Sequence, residues 1–327
     1  MKIVDQSFIP VPTQSAHAST IAFYKGSPVV SWFGGFQEGD PSCAIYVWSA
    51  ANPDSQTIIG DKDQMPRWNP ILFPYEDKLY LFTKAGIFCD RWQTFVYELD
   101  EDMNIVKSPQ LLPAGLNGPV KTKPIFHNYF VYCGSSVETA FDWTSYIERY
   151  KVEDGEFRLF DRSLPLTAEK LKMSGFNNRL TNGIIQPSLW VDDEEMMHAF
   201  FRASRGLGYI YYSKRELVHN EFVWTPPAPT KLRNPNSGVD TVFYDGRLFL
   251  VYNPSTEMRA PLSVVELDKD FNIIDTLVIR EKVESNDITI SGELSYPYMI
   301  EQNGQLHLTY TYGRSKIEYV VIDIEEK

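Results

Sequence analysis

One short motif returns along this chain and restricts its fold more than any other feature. A polar residue, followed by proline or by a small or apolar residue, opens an apolar run. The openings read Asn69-Pro70-Ile71-Leu72, Lys123-Pro124-Ile125-Phe126, Gln186-Pro187-Ser188-Leu189, Asp240-Thr241-Val242-Phe243 and Tyr296-Pro297-Tyr298-Met299. A weaker copy begins at His17-Ala18-Ser19-Thr20. About 50 to 60 residues separate one opening from the next, the period of a four-stranded propeller blade. Blades are radial, so a shared register delivers the polar residue of every unit to the mouth of one central channel.

Each opening is followed by a turn and a second strand, at 29–33, 79–82, 129–132, 197–201, 248–252 and 306–310. Hairpin turn residues stand between the two, as in Lys25-Gly26, Glu76-Asp77, Asp192-Asp193, Asp245-Gly246 and Asn303-Gly304. Alternating third strands follow, for example at 44–48, 209–212 and 262–265. Sustained helical periodicity is absent, and one short helix is expected around 167–173. The last unit runs out of chain after its third strand at 317–322, while the segment 2–8 precedes the first opening without a partner. Pairing that segment with the last unit removes two exposed strand edges. The expected fold is therefore all-β: a six-bladed β-propeller of four-stranded blades, one domain over 1–327, with the N-terminal strand closing the last blade.

Composition narrows the partners. Hydrophobic residues make up 43% of the 327-residue chain, enough for a globular core, and the 14% of aromatics favours strands. A net charge of −12 argues against nucleic acid and against docking to an anionic membrane. Cys43, Cys89 and Cys133 lack zinc-finger or Cys-x-x-Cys spacing, which reads as packed, reduced thiols. The N-terminus has no signal-peptide core, so the expected location is cytoplasmic, or extracellular if a leader has been trimmed. No metal and no cofactor are expected: ligand-spaced clusters and phosphate loops are missing from the sequence.

Together with the openings, Trp32-Phe33-Gly34-Gly35, Gly118-Pro119-Val120-Lys121, Asn234-Pro235-Asn236-Ser237-Gly238 and Glu293-Leu294-Ser295-Tyr296-Pro297 resemble the sialidase-like BNR-repeat family over nearly the whole chain. The Asn-Pro-Asn-Ser-Gly and Ser-Tyr-Pro stretches resemble its bacterial predicted-neuraminidase branch. The resemblance implies a six-bladed propeller and, for the sialidases within the family, exo-cleavage of terminal sialic acid. The family's signature turn, Ser-x-Asp-x-Gly-x-x-Trp, is decayed here to stretches such as Leu99-Asp100-Glu101-Asp102-Met103-Asn104, Lys151-Val152-Glu153-Asp154-Gly155 and Leu267-Asp268-Lys269-Asp270-Phe271-Asn272. Sialidases bring three arginines to the substrate carboxylate. The resemblance matches the first to His17, the second to Arg202 or Arg205, and the third to Arg259 or Arg314. It matches the tyrosine nucleophile to Leu294 beside Ser295, with Tyr296 two residues on and on the same strand face.

From the residues themselves, the opening register supplies His17, Asn69, Lys123, Gln186, Asp240 and Tyr296. Lys121 and Lys123 lead together into a buried strand and repel unless an anion or carboxylates stand between them. A second polar layer follows the second strands: Glu38, Lys84, Glu138, Arg202 with Arg205, Asn253 with Arg259, and Arg314. Arginine suits a sugar carboxylate because its planar fork donates two parallel hydrogen bonds. Glycoside hydrolysis needs an acid for the leaving oxygen and a nucleophile or base. Glu38 or Asp40, in the Gly-flanked loop 34–40, is the acid/base candidate. Glu293 is placed to deprotonate Tyr296, a phenol of ordinary pKa about 10 that needs a base to attack at neutral pH. The leading reading is an exo-glycosidase that removes a terminal acidic sugar from an oligosaccharide. The alternatives are a lyase acting on uronates through His17 or Tyr296, and a non-catalytic glycan-binding propeller.

Overall fold

A computed structural model describes residues 1–62, 64–168, 182–287 and 290–324. Apart from the 3-10 turns Cys89–Arg91 and Ser285–Asp287, the regular structure of those residues is β-strand. Hairpins form where the turn chemistry requires them. Lys25-Gly26, Asp245-Gly246 and Asn303-Gly304 have positive φ at both central residues (49° and 81°, 50° and 68°, 52° and 79°). That mirror-image turn has the twist of the strands it joins. The decayed signature turns keep a structural task. Asp100 accepts the backbone N–H groups of Asp102 and Asn104 at 2.9 and 2.8 Å, and Asp268 accepts those of Asp270 and Asn272 at 2.9 and 2.7 Å.

The openings carry a second repeated device. In the strands Ser15–Tyr24, Arg67–Tyr75, Asn182–Val191 and Leu294–Gln302 the ladder skips at His17/Thr20, Trp68/Ile71, Ile185/Ser188 and Ser295/Tyr298. Each skip holds one left-handed residue: Ala18, Asn69, Gln186 and Tyr296, with φ of 54°, 33°, 55° and 53°. A bulge of this kind re-aims a side chain out of the strand alternation. The register therefore equates Ala18, not His17, with Asn69, Gln186 and Tyr296. His17 stands one residue earlier.

Among the described residues, four sheets have four strands each. Ser15–Tyr24, Ser27–Gly35, Ala44–Ser49 and Asn52–Ile59 form one, and Arg67–Tyr75, Lys78–Ala85, Gln93–Leu99 and Gln110–Leu111 form another. A third consists of Asp240–Tyr244, Arg247–Tyr252, Leu262–Leu267 and Ile273–Arg280. In the fourth, the N-terminal strand Lys2–Ile9 pairs antiparallel with Lys316–Asp323, beside Gln305–Tyr312 and Leu294–Gln302.

The remaining sheet has nine strands and overturns the expected six separate blades. Its strand Asp142–Glu153 runs parallel to Asn182–Val191 through Asp142↔Asn182 and Trp143↔Gly183, so the third and fourth units share one ladder. Gly183 has a φ of 144°, and a Cβ there would lie 2.1 Å from the Trp143 carbonyl oxygen. Only glycine lets the two backbones meet so closely. The described residues thus form an all-β arrangement of five sheets, none closed into a barrel, and not the six-bladed propeller expected. The helix expected at 167–173 lies, from residue 169 onward, outside the described residues.

Apolar faces bury between the sheets. Phe157, for example, meets the rings of Tyr80 and Phe82 at 5.0 and 4.9 Å, joining the second sheet to the nine-stranded one. Each such fully buried aromatic contributes about 1.5–3 kcal/mol. The packing also brings first strands together. Ser15–Tyr24 touches Arg67–Tyr75 and Leu294–Gln302, Leu294–Gln302 touches Asp240–Tyr244, and Asp240–Tyr244 touches Asn182–Val191. Gly183→Ala is expected to destabilise the fold by at least about 2 kcal/mol in chemical denaturation. Gly206→Ala, which meets nothing within 4 Å, should stay within about 0.5 kcal/mol of wild type.

Candidate functional site

Tyr296 is the hub of a polar cluster built from separate sheets. Its bulge turns the phenol toward the fourth unit, where the oxygen accepts hydrogen bonds from Arg202 Nη1 at 2.9 Å and Gln186 Nε2 at 3.2 Å. Arg202 Nη1 also donates to Gln186 Oε1 at 3.0 Å, and its Nε donates to Asn236 Oδ1 at 2.9 Å. Among the described residues, these hydrogen-bond partners of the buried Arg202 are all neutral. The guanidinium lies 5.4 Å from the ring of Trp143.

Beside this hub stand two more arginines on one carboxylate. Arg259 donates to Glu293 at 3.3 Å and to the Asn236 carbonyl at 2.9 Å, while Arg314 Nε donates to Glu293 Oε1 at 2.8 Å. Ser295 Oγ donates to the same Glu293 oxygen at 2.7 Å. Arg314 Nη1 also pairs with Glu38. Backbone bonds fix the three segments: Leu294 N donates to Arg259 O, Gly313 N to Glu293 O, and Ala16 N to Arg314 O. Burial alone would raise Glu293, but Arg259 and Arg314 outweigh it and hold the carboxyl below its ordinary range. Arg259, Glu293, Asn236 and the exposed Arg205 line an open recess of about 430 Å³. A larger recess of about 760 Å³, around Arg149, Arg162 and Trp224, shares no residue with this cluster.

His17 packs its ring on Tyr296, centroids 4.3 Å apart, and is 1% exposed. Neither ring nitrogen has a hydrogen-bond partner among the described residues. Burial, then Arg314, Arg259, Arg202 and Lys121, hold the imidazole well below the histidine range, so it is neutral at pH 7. Glu138 behaves in the opposite sense. Burial pushes its carboxyl up, Arg202 and Gln186 pull against that, and Glu38 adds to the rise. Asp40 turns back on its own loop: its carboxylate accepts the Ser42 N–H at 2.8 Å and is held low by Ser42.

Other expected residues lie deeper or elsewhere. Lys123 pairs with Asp240 at 2.9 Å, and Asp240 also accepts Ser188 Oγ at 2.8 Å and Met299 N at 2.9 Å. Lys121 Nζ donates to the Pro297 carbonyl. Asn69 braces the Val120 carbonyl at 2.9 Å, and Asn253 braces those of Pro261 and Leu294 at 2.8 and 3.0 Å. Lys84 is fully buried in the field of Glu148 and Cys133, apart from the Tyr296 cluster, and burial pushes it down to about 7. Leu294 is apolar core. Sequence reasoning missed Asn236 and Trp143 as neighbours of Arg202. It also missed Glu148, whose signal is a charged residue on the buried face of an alternating strand. Among the described residues, no group of three or more His, Cys, Asp or Glu is placed to hold a metal.

This arrangement of sheets and side chains has known relatives. A family model described as a BNR repeat-like domain matches residues 26–308, and the chain belongs to this sialidase-like BNR-repeat family. A search of curated proteins found no match. Among solved structures, a Dyadobacter fermentans protein of unknown function superposes with a TM-score of 0.72 at 11% identity, covering 99% of both chains. Trypanosoma rangeli sialidase superposes with a TM-score of 0.62 at 10% identity over 95% of this chain and 55% of its own. The same sialidase in complex with sialic acid gives 0.60 at 9% identity, over 99% of this chain and 58% of the other. The chain thus spans little more than half the length of those sialidase chains, and at these identities the likeness is one of fold.

The depressed His17 carries a stability prediction. Its folded pKa lies below the unfolded value of about 6.5, so its contribution is present above that pH and is lost as pH falls toward the folded value. His198 and His307, also lowered by burial, act in the same direction. The fall in Tm between pH 7.5 and 5.5 should be smaller in His17→Gln than in wild type, measured by thermal unfolding. Equal falls would remove His17 from the account.

Proposed function

We propose that this protein is a carbohydrate-active enzyme acting on a terminal acidic sugar of an oligosaccharide, as an exo-glycosidase. The observation that carries the reading is a buried Arg202 whose hydrogen bonds go to neutral groups, one of them the Tyr296 phenol, beside Arg259 and Arg314. A buried guanidinium that, among the described residues, makes no hydrogen bond to a carboxylate suits an anionic ligand, and its fork suits a sugar carboxylate. The sialidase neighbours include a complex with sialic acid, an acidic sugar bound on a similar fold.

In this reading Arg202, Arg259 and Arg314 orient the carboxylate, and Tyr296 Oη attacks the anomeric carbon as the glycosidic C–O bond breaks. Glu138, its carboxyl raised by burial, gives its proton to the leaving oxygen and then takes one from the water that releases the sugar from Tyr296. In the same reading the neutral His17, packed on the Tyr296 ring, takes the phenolic proton and returns it to the phenolate when water releases the sugar. Its imidazolium is disfavoured by the surrounding cations, and the substrate carboxylate offsets that field once bound. Glu293, ionised and shared by two arginines, sets the positions of those arginines.

One observation favours a second reading. The amide of Gln186, not a carboxylate, touches Tyr296, while a neutral His17 lies against the ring. That pair also suits abstraction of a carbon-bound proton from a uronate held by the arginines, which is β-elimination.

Purified protein incubated with sialosides and uronate-terminated oligosaccharides separates the readings. Release of the free acidic sugar supports hydrolysis, an unsaturated ultraviolet-absorbing product supports elimination, and binding without turnover across the panel counts against both. Tyr296→Phe should lower kcat at least about a hundredfold, and Arg202→Lys should raise KM. If Glu138 is the acid, activity falls as pH rises through its raised pKa, and Glu138→Gln abolishes that limb of the profile.

A further inference from the structure

The Tyr296 backbone is left-handed, a conformation that costs a bulky residue about 1–3 kcal/mol and persists only when its surroundings over-determine it. Two buried contacts from other units do so. Lys121 Nζ donates to the carbonyl of Pro297, the residue after Tyr296. Asp240 Oδ2 accepts the N–H of Met299 at 2.9 Å, while Asp240 Oδ1 is held by Lys123 Nζ at 2.9 Å and Ser188 Oγ at 2.8 Å. The segment 296–299 is therefore gripped at one carbonyl and one amide by side chains that do not touch the Tyr296 phenol.

A third observation concerns the path of Lys121. Gly238 stands two residues before Asp240, and a Cβ there would lie 3.1 Å from Lys121 Cε and 3.5 Å from Gln186 Oε1. The missing side chain at Gly238 leaves the lane through which Lys121 reaches Pro297. Burial, offset by Asp240, pushes Lys121 down to about 7. The ammonium and the amine both donate an N–H, so the contact survives on either side of that value.

We propose that Lys121 is a positioning residue for Tyr296, gripping the Pro297 carbonyl through the lane left by Gly238 and so aiming the phenol at Arg202 and Gln186. The inference deepens the reading of Tyr296 as the attacking group and rests on it for its kinetic consequence only. A misplacement of about 1 Å at a reacting group can cost about a hundredfold in rate.

The test places 3-fluorotyrosine at position 296 and records its 19F resonance in the full chain, with Lys121 intact, with Lys121→Met and with Gly238→Ala. Gly238→Ala keeps every charge and a permitted φ, so it stands if Lys121→Met fails to fold. Both variants are expected to shift or broaden the resonance, the alanine variant less. On any substrate the wild type turns over, Lys121→Met should lower kcat tenfold to a hundredfold, with KM within about twofold. An unchanged resonance in a folded variant overturns the proposal, as does a loss confined to KM. If the wild type turns over no acidic sugar, the enzymatic reading fails while the resonance still decides whether Lys121 sets the phenol.

Discussion

Everything at the candidate site depends on a left-handed residue inside a first strand. A regular strand alternates its side chains between two faces, and neither face points along the line where first strands meet. At Ala18, Asn69, Gln186 and Tyr296 the bulge breaks that alternation and turns one side chain per unit inward. The conformation is costly for all four, so each needs a grip from a neighbouring unit. Asn69 bonds Val120, Gln186 bonds Tyr296 and Arg202, and the Tyr296 segment is held by Lys121 and Asp240. The strain is local, and the groups that hold it come from far along the chain.

The charges gathered there are unevenly matched. Glu293 serves both Arg259 and Arg314, and Asp240 serves Lys123. Arg202 is left with an amide, an amide oxygen of Asn236 and a phenol. A cation so deep in the protein costs free energy that neutral partners only partly offset. Burial and then the surrounding cations keep His17 neutral, whereas burial raises the Glu138 carboxyl against the pull of Arg202 and Gln186, with Glu38 adding to the rise. An anion placed beside Arg202 would stabilise that buried guanidinium.

Several local features were legible in the residues. The turn pairs Lys25-Gly26, Asp245-Gly246 and Asn303-Gly304 announce hairpins because their backbone preferences act over two or three residues. The spare segment 2–8 and the unpartnered last unit imply their own pairing, which Lys2–Ile9 and Lys316–Asp323 make. Other features were not legible. The fusion of the third and fourth units depends on Gly183 meeting the Trp143 carbonyl, and nothing in the local pattern at 183 names a partner 40 residues away. The one-residue offset of His17 was hidden for a related reason: a bulge adds a residue to one strand without altering its apolar run.

The amino-acid sequence by itself determined the all-β character, the six openings and their turns, because these follow from short-range backbone preference and from a repeated pattern; the family is carried by its motifs as a resemblance. Tertiary structure decided which sheets merge and which carboxylate each arginine receives. It also decided that Tyr296, not Leu294, faces the guanidinium groups. Those outcomes depend on distances between groups far apart in the chain, and hydrogen bonds and burial act only once the sheets have packed.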